Sequence, residues 1–190
     1  EKENDLVVVS IFLNPKQFGP QEDLSKYPRP LKTDLRLCRK AKVDLVFLPD
    51  QKSMYQDGFL TTVNVEGLSN LLCGVTRPGH FRGVTTVVAK LLNIIAPDVL
   101  YLGQKDAQQS VIISRMIKDL NFPVKVKVLP TVRQKDGLAL SSRNAYLKPD
   151  QKAGAGVLFK ALSLGKSLIT HGQRDAARVV NRMRELICRN

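Results

Sequence analysis

The sequence predicts an α/β protein built on a parallel sheet with helices on its faces, followed by the start of a smaller second domain. Two patterns carry this expectation. Short runs rich in β-branched residues alternate with longer segments whose apolar residues recur at helical spacing, the signature of strands joined by crossover helices. Beyond about residue 130 that alternation stops and only helical patterns follow. The expected division is 1–131 for the sheet domain and 132–190 for the second.

The first run, 6–13, is nearly all apolar and ends at Asn14-Pro15, so it reads as a buried strand stopped by a turn. Leu31, Leu35 and Cys38 then mark a helix, and 44–48 is the next strand. A shorter strand is expected at 61–65, leading into a loop punctuated by Gly and Pro that reaches Gly83. From Val84 the apolar residues Val87, Val88, Leu91, Leu92 and Ile95 fall on one helical face, and Pro97 lies just past the end. A strand at 99–102 follows, then a helix over 106–120 with Val111, Met116, Ile117 and Leu120 expected inward, then a strand at 124–129. After a loop containing Asp136-Gly137, Pro149 is placed for a first helical turn, and two helices separated by His171-Gly172 should follow. Gly154 and Gly156 weaken the first of these by about 1 kcal/mol each relative to alanine.

Composition narrows the class of function. Apolar residues make up 43% of the 190 and charged residues 25%, the balance of an ordinary globular protein with a real core. No apolar run approaches the ~18 residues that a membrane span needs. The opening residues carry neither an initiating Met nor a signal-peptide pattern, and they read as the interior of a longer chain. Three widely spaced cysteines, with no Cys-x-x-Cys and no neighbouring His, support neither a zinc site nor a disulfide framework; a reducing, cytoplasmic setting fits best. Only His80 and His171 are present, and neither stands in a nucleophile motif. The net charge of +13 is uneven: residues 1–76 hold ten charges of each sign, so the whole excess lies in 77–190. Such a field suits anionic partners such as ATP, pyrophosphate or nucleic acid, and equally a merely solvated basic face.

In an open parallel sheet, ligands bind beyond the carboxyl ends of the strands. Three polar clusters are expected there. The first surrounds Asn14 and Gln17, where a carboxamide can donate to a carboxylate and accept from a hydroxyl; a simple Asn-Pro turn is the alternative. The second is Gly103, Gln104, Lys105 and Asp106, running into Gln109. Exposed N–H groups at a helix start attract anions and Lys105 adds a mobile positive charge, although Asp106 and Gln109 could instead form a capping box that needs no ligand. The third runs from Val132 and Arg133 to Leu140, Ser141, Ser142 and Arg143, offering hydroxyls and a guanidinium to phosphate oxygens, or serving only as an interdomain loop. Arg77 and His80 lie in the long loop as further candidates.

At these residues the sequence resembles the pantothenate synthetases, the pantoate–β-alanine ligases. The likeness runs through Phe12 into Asn14-Pro15 and Gln17-Phe18-Gly19, then Met54-Tyr55 with Asp57-Gly58, and Arg77-Pro78-Gly79-His80-Phe81. It continues through Gly103, Lys105-Asp106 and Gln108-Gln109, and it is most specific at Asp136-Gly137-Leu138-Ala139-Leu140-Ser141-Ser142-Arg143-Asn144. The resemblance implies a Rossmann-like nucleotidyltransferase fold with a C-terminal α+β lid domain, a homodimer, ATP as co-substrate with Mg²⁺, and pantoate and β-alanine as the molecules joined. It implies that Gln17 and Gln109 hold pantoate, with Gln17 also near β-alanine. Gly103, Gln104, Lys105, Asp106, Val132, Leu140, Ser141, Ser142 and Arg143 would hold ATP, with Lys105 and Arg143 at the phosphates as the catalytic cations. Phe12, Asn14, Phe18, Arg77 and His80 are further possibilities at the same site.

Departures from the family pattern are equally visible. The family's catalytic His-x-Gly-His unit does not occur in these 190 residues, so little or no ligase activity is expected of them alone. Gln104 stands where the family commonly has Glu, and Ala107 where an aromatic residue is common. Competing readings are a nucleic-acid-binding module, which the absence of Trp and of aromatics interleaved with basic residues disfavours, another nucleotidyltransferase acting on a different acid, and an inactive structural remnant.

Overall fold

The structure, a computed structural model, describes residues 3–189. The chain divides into two compact units, Glu1–Leu129 and Pro130–Asn190.

The first unit is α/β with parallel strands. Strand β1 (Val8–Ser10) pairs with β2 (Leu45–Phe47) in the register Val8 to Leu45, and helix α1 (Leu31–Lys40) lies on the crossover between them. Parallel neighbours need such a crossover because a tight turn can only reverse the chain. Short helices α2 (Gln51–Met54) and α3 (Cys73–Thr76) precede the long α4 (His80–Ile95). Strand β3 (Val99–Gly103) then pairs in parallel with β4 (Lys125–Leu129) across α5 (Ala107–Asp119). Among the described residues the strands therefore form two parallel pairs, β1–β2 and β3–β4, where the sequence suggested one sheet.

The core lies where α4 and α5 cover the β3–β4 pair. Phe81, Val84, Ala89 and Leu92 of α4 meet Ile112, Ile113, Met116 and Ile117 of α5, with Val65 beneath and Leu100, Leu102, Val124 and Val126 partly buried against them. The helical face expected from Val84 onward does point inward, but α4 begins at His80, four residues earlier. Gly79 supplies the positive φ of +80° on which the chain enters the helix. At its other end Ala96 takes a left-handed conformation, its N–H reaches the carbonyl of Leu92, and Pro97 prevents continuation. In α5 the expected inward set is corrected. Val111 and Leu120 are exposed, and the buried stripe is Ile112, Ile113, Met116 and Ile117. The unbroken apolar run 111–113 leaves the phase of the helix undetermined by periodicity alone.

The strand expected at 61–65 does not form. The segment instead lies along α4, whose buried threonines take the place of a neighbouring strand: the N–H of Val63 donates to Thr86 Oγ1 at 3.0 Å, and Thr85 Oγ1 donates to the carbonyl of Val63 at 2.6 Å. The β-branched composition kept the backbone extended, and side-chain hydroxyls satisfied its polar groups.

Among the described residues the second unit holds three α-helices where two helices were expected: α6 (Pro149–Ala155), α7 (Val157–Thr170) and α8 (Ala176–Cys188). The additional break falls at Gly156, against which the carbonyl oxygen of Asp136 packs so closely that a Cβ would sit 2.5 Å from it. Pro149 opens α6 as expected. Helices α7 and α8 form a hairpin turned at His171 and Gly172, burying Ala161 and Val179, with Gly165 admitting the sulfur of Met183. Asp175 caps α8 by accepting from the N–H of Arg178 at 3.1 Å. No described helix is long and apolar enough to cross a membrane.

Candidate functional site

The chain leaving β1 makes a 3-10 turn over Pro15–Gln17, and this turn is anchored by Asn14, which is 2% exposed. Each polar site of the Asn14 carboxamide is used. Its Oδ1 accepts from the N–H of Lys16 at 3.3 Å and from the Tyr55 hydroxyl at 2.8 Å; its Nδ2 donates to the carbonyl of Gly83 at 3.0 Å and to Gln17 Oε1 at 3.2 Å. A buried amide satisfied in this way fixes the loop that carries Gln17 against the start of α4.

A second set of contacts grips the same loop from α4. His80 Nδ1 lies 2.8 Å from the carbonyl of Gln17, and Arg77 Nη1 lies 3.1 Å from His80 Nε2. A guanidinium only donates, so Nε2 is the acceptor and Nδ1–H donates to Gln17. Arg77 also grips Glu22 with two bonds, Nε to Oε1 at 2.8 Å and Nη2 to Oε2 at 2.5 Å. Arg77 and His80 therefore have protein partners around the Gln17 loop. The hydrogen bonds from Arg77 hold the Glu22 carboxyl below its ordinary 4.5, against the opposing effect of partial burial. A depressed carboxylate stabilises the fold above its unfolded-state value and loses that contribution as the pH falls through its folded value. The stability gap between the native chain and Glu22→Gln is accordingly expected to shrink as the pH is lowered from about 4.5, read by urea unfolding at stepped pH. A gap that holds constant down to the folded-state value would show that the ion pair carries no linkage.

Aromatic residues flank this region. Phe12 lies 6.3 Å from Tyr55 between ring centroids, Phe18 meets Tyr27 edge to face at 6.0 Å, and Lys16 Nζ sits about equally over Tyr55 and Phe59, at 5.0 and 5.1 Å. Burial pushes the Tyr55 phenol up to about 12, so it remains a hydrogen-bond donor throughout the neutral range.

The second cluster follows β3. Gly103 ends the strand with φ −88°, an ordinary extended value, and a Cβ there would meet nothing within 4 Å. Gln104, Lys105 and Asp106 form a 3-10 turn leading into α5. The capping-box alternative is not what forms: Asp106 makes no side-chain cap to α5, and its carboxylate instead lies 3.1 Å from Lys105 Nζ, with both side chains exposed. Gln109 is half-buried on the first turn of α5. Its neighbour Gln108 is structural, donating through Nε2 to the carbonyls of Leu68 and Leu71 and accepting from the N–H of Cys73.

The third cluster belongs to the second unit. Arg133 and Ala139 form an antiparallel bridge around a turn at Gly137, where φ is +92°. Arg133 lies over the Phe159 ring at 4.5 Å and donates to the carbonyl of Gly137 at 3.1 Å, fastening the turn to α7. The N–H of Leu140 donates to the carbonyl of Val132 at 3.0 Å, which sets the two on facing arms; both are exposed. Ser141 Oγ accepts from the N–H of Arg143 at 3.2 Å, starting the 3-10 turn Ser142–Tyr146, and Ser142 and Arg143 are exposed.

Sequence reasoning missed the parts played by Tyr55 and Glu22. Both lie in the motifs quoted above or beside them, but their partners are 41 and 55 residues away, and no local pattern identifies them. No group of three or more His, Cys, Asp or Glu side chains suited to holding a metal occurs among the described residues. The donor set of amides, hydroxyls and cations matches carboxylate and phosphate oxygens.

A model of the pantoate-beta-alanine ligase family matches residues 1–190. The pantothenate synthetase of Moorella thermoacetica is 56% identical over 184 residues, 97% of this chain and 65% of the relative. That of Acetivibrio thermocellus is 54% identical over 176 residues, 93% of this chain and 63% of the relative. Among solved structures, a pantothenate synthetase from Thermus thermophilus superposes with a TM-score of 0.95 at 48% identity, over 98% of this chain and 67% of that one. A pantoate-beta-alanine ligase from Francisella tularensis, complexed with beta-gamma ATP and beta-alanine, superposes with a TM-score of 0.82 at 38% identity, over 97% of this chain and 69% of that one. The chain thus spans about 65% of the length of the first of these relatives.

Proposed function

Because this chain belongs to the pantoate-β-alanine ligase family, we propose that it forms the acid- and nucleotide-binding part of an enzyme that joins pantoate to β-alanine at the expense of ATP. In the first step the pantoate carboxylate attacks the α-phosphorus of ATP, forming pantoyl adenylate as the bond to pyrophosphate breaks. In the second, the β-alanine amine attacks the acyl carbonyl and AMP leaves with the electron pair of the broken bond. Neither step needs a protein nucleophile; both need two molecules held in line and growing negative charge stabilised.

Gln17 and Gln109 are assigned to pantoate. Gly103, Gln104, Lys105, Asp106, Val132, Leu140, Ser141, Ser142 and Arg143 are assigned to ATP, with Lys105 and Arg143 meeting the phosphates. Mg²⁺ is assigned to the nucleotide it accompanies, where it would offset phosphate charge. The lid role of the second unit, a homodimeric assembly and a cytoplasmic setting belong to the same proposal.

The observation that carries the nucleotide assignment is the start of α5. There the strand end opens to space at Gly103, the first turn has no side-chain cap, and Lys105 is exposed beside it. Such a helix start offers backbone N–H donors and partial positive charge to an anion. Gly103→Ala is the discriminating variant. Its Cβ meets no protein atom, so stability should hold or rise by about 0.5 kcal/mol through the unfolded state, while ATP affinity measured by calorimetry should fall about tenfold. Unchanged ATP affinity would remove the nucleotide from this end of β3.

A further inference from the structure

We infer that Tyr55 is a positioning residue for the acid substrate, acting through Asn14 to hold the Gln17 carboxamide with its Nε2 turned outward as a donor. This rests on the assignment of Gln17 to the acid made above.

Hydrogen-bond polarity sets the direction of each contact. The carbonyl of Gly83 can only accept and the N–H of Lys16 can only donate, so Asn14 must direct Nδ2 at the first and Oδ1 at the second. Once that orientation is set, the second Nδ2 proton meets Gln17, which must present Oε1, as the 3.2 Å contact has it. The second acceptor site of Asn14 Oδ1 takes the Tyr55 hydroxyl at 2.8 Å. Every link is thereby polarised in one direction, from Tyr55 through Asn14 to Gln17. Among the described residues, Gln17 Nε2 donates to no protein group. The group it meets on a ligand is consequently an acceptor, a carboxylate or alcohol oxygen of a small hydroxy acid. The carboxamide reading from sequence, in which Gln17 both donates and accepts, thereby gains a direction: Nε2 is turned outward to donate, and Asn14 already occupies one of the two acceptor sites of Oε1.

Tyr55 is suited to this task because it is itself held. Phe12 and Phe59 flank its ring, the latter edge to face at 5.1 Å, and Lys16 Nζ lies over its face. Removing only the hydroxyl leaves these ring contacts and the backbone of the loop in place, since His80 and Asn14 still bind the Gln17 carbonyl and the carbonyl of Gly83. A merely structural tyrosine would affect stability and both ligands alike. A positioning tyrosine affects the acid and spares the nucleotide.

The test compares the 190-residue chain with Tyr55→Phe by two readouts: pantoate and ATP calorimetry, and side-chain amide NMR of ¹⁵N-labelled protein with Gln17 assigned through Gln17→Glu. The expected result is an ordered Gln17 Nε2H₂ signal that becomes mobile in Tyr55→Phe, with pantoate affinity down about tenfold and ATP affinity unchanged. An unaltered Gln17 signal in Tyr55→Phe overturns the inference, as does equal loss of affinity for both ligands. If the native chain binds no pantoate while Gln17 is still released by Tyr55→Phe, the relay stands and the acid assignment of the preceding section fails instead.

Discussion

Gly83→Ala is expected to lower the unfolding free energy by about 3 kcal/mol, in the upper range for adding a single methyl group. The reason is the identity of the atoms it would strike. A Cβ at Gly83 would overlap the carbonyl oxygen and carbon of Lys16 and the Cα of Gln17, all of them backbone, so no rotamer change can make room. The residue lies in α4, where alanine is otherwise the better helix former by about 1 kcal/mol, so any loss observed is the net of a larger clash. The damage should extend to the loop. Asn14 donates to the carbonyl of Gly83, and moving α4 away from Lys16 strains that buried bond and the four-way satisfaction of Asn14. Urea unfolding gives the stability, and Gly103→Ala serves as the matched control. The two substitutions add the same atom, one against backbone and one into open space. Equal stability of the two variants would mean that the Asn14–Gln17 turn does not sit on α4 as described.

Lys105→Ala is expected to weaken ATP binding by about tenfold to a hundredfold, the range for losing a charge-assisted contact to phosphate. Lys105 is exposed and has a single carboxylate beside it, that of Asp106, so its removal should cost the fold little. The phosphates should gain most from it because it stands next to the uncapped start of α5, where its charge and the helix dipole act in the same direction. Calorimetry at two salt concentrations checks this: ATP binding to the native chain should weaken more steeply with salt than binding to the variant, which keeps Arg143 and the start of α5 but has lost one cation. Pantoate affinity should be unchanged, because Gln17 is positioned by Asn14, Tyr55 and His80, none of which touches Lys105. A fall in pantoate affinity matching that in ATP affinity would place Lys105 in the acid site instead.

Local pattern was a good guide where one element decides its own form. The face of α4 from Val84 onward, the strands on either side of α5 and the opening of α6 at Pro149 all follow from period, propensity and turn chemistry within a few residues. The turns that carry Gln17 and Lys105 were legible for the same reason, since each lies between a strand and the next element of the chain. What escaped was everything that depends on a distant partner. The segment 61–65 has the composition of a strand and lacks a strand to pair with, because Thr85 and Thr86 of α4 fill that role. The run 111–113 has three candidate inward residues, and packing against α4 chose Ile112 and Ile113 over Val111.

By itself, then, the order of residues determined the α/β class and the placement of its principal helices, and it nominated the amide and cationic side chains proposed above for anions. Tertiary structure alone decided which of these are held and how. Asn14 draws on Tyr55 and Gly83, 41 and 69 positions away, and the direction of the Gln17 amide is a consequence of those bonds. The physical reason is one of range: backbone preference acts over a few residues, whereas a buried polar group must be satisfied by whatever the folded chain brings within about 3 Å of it.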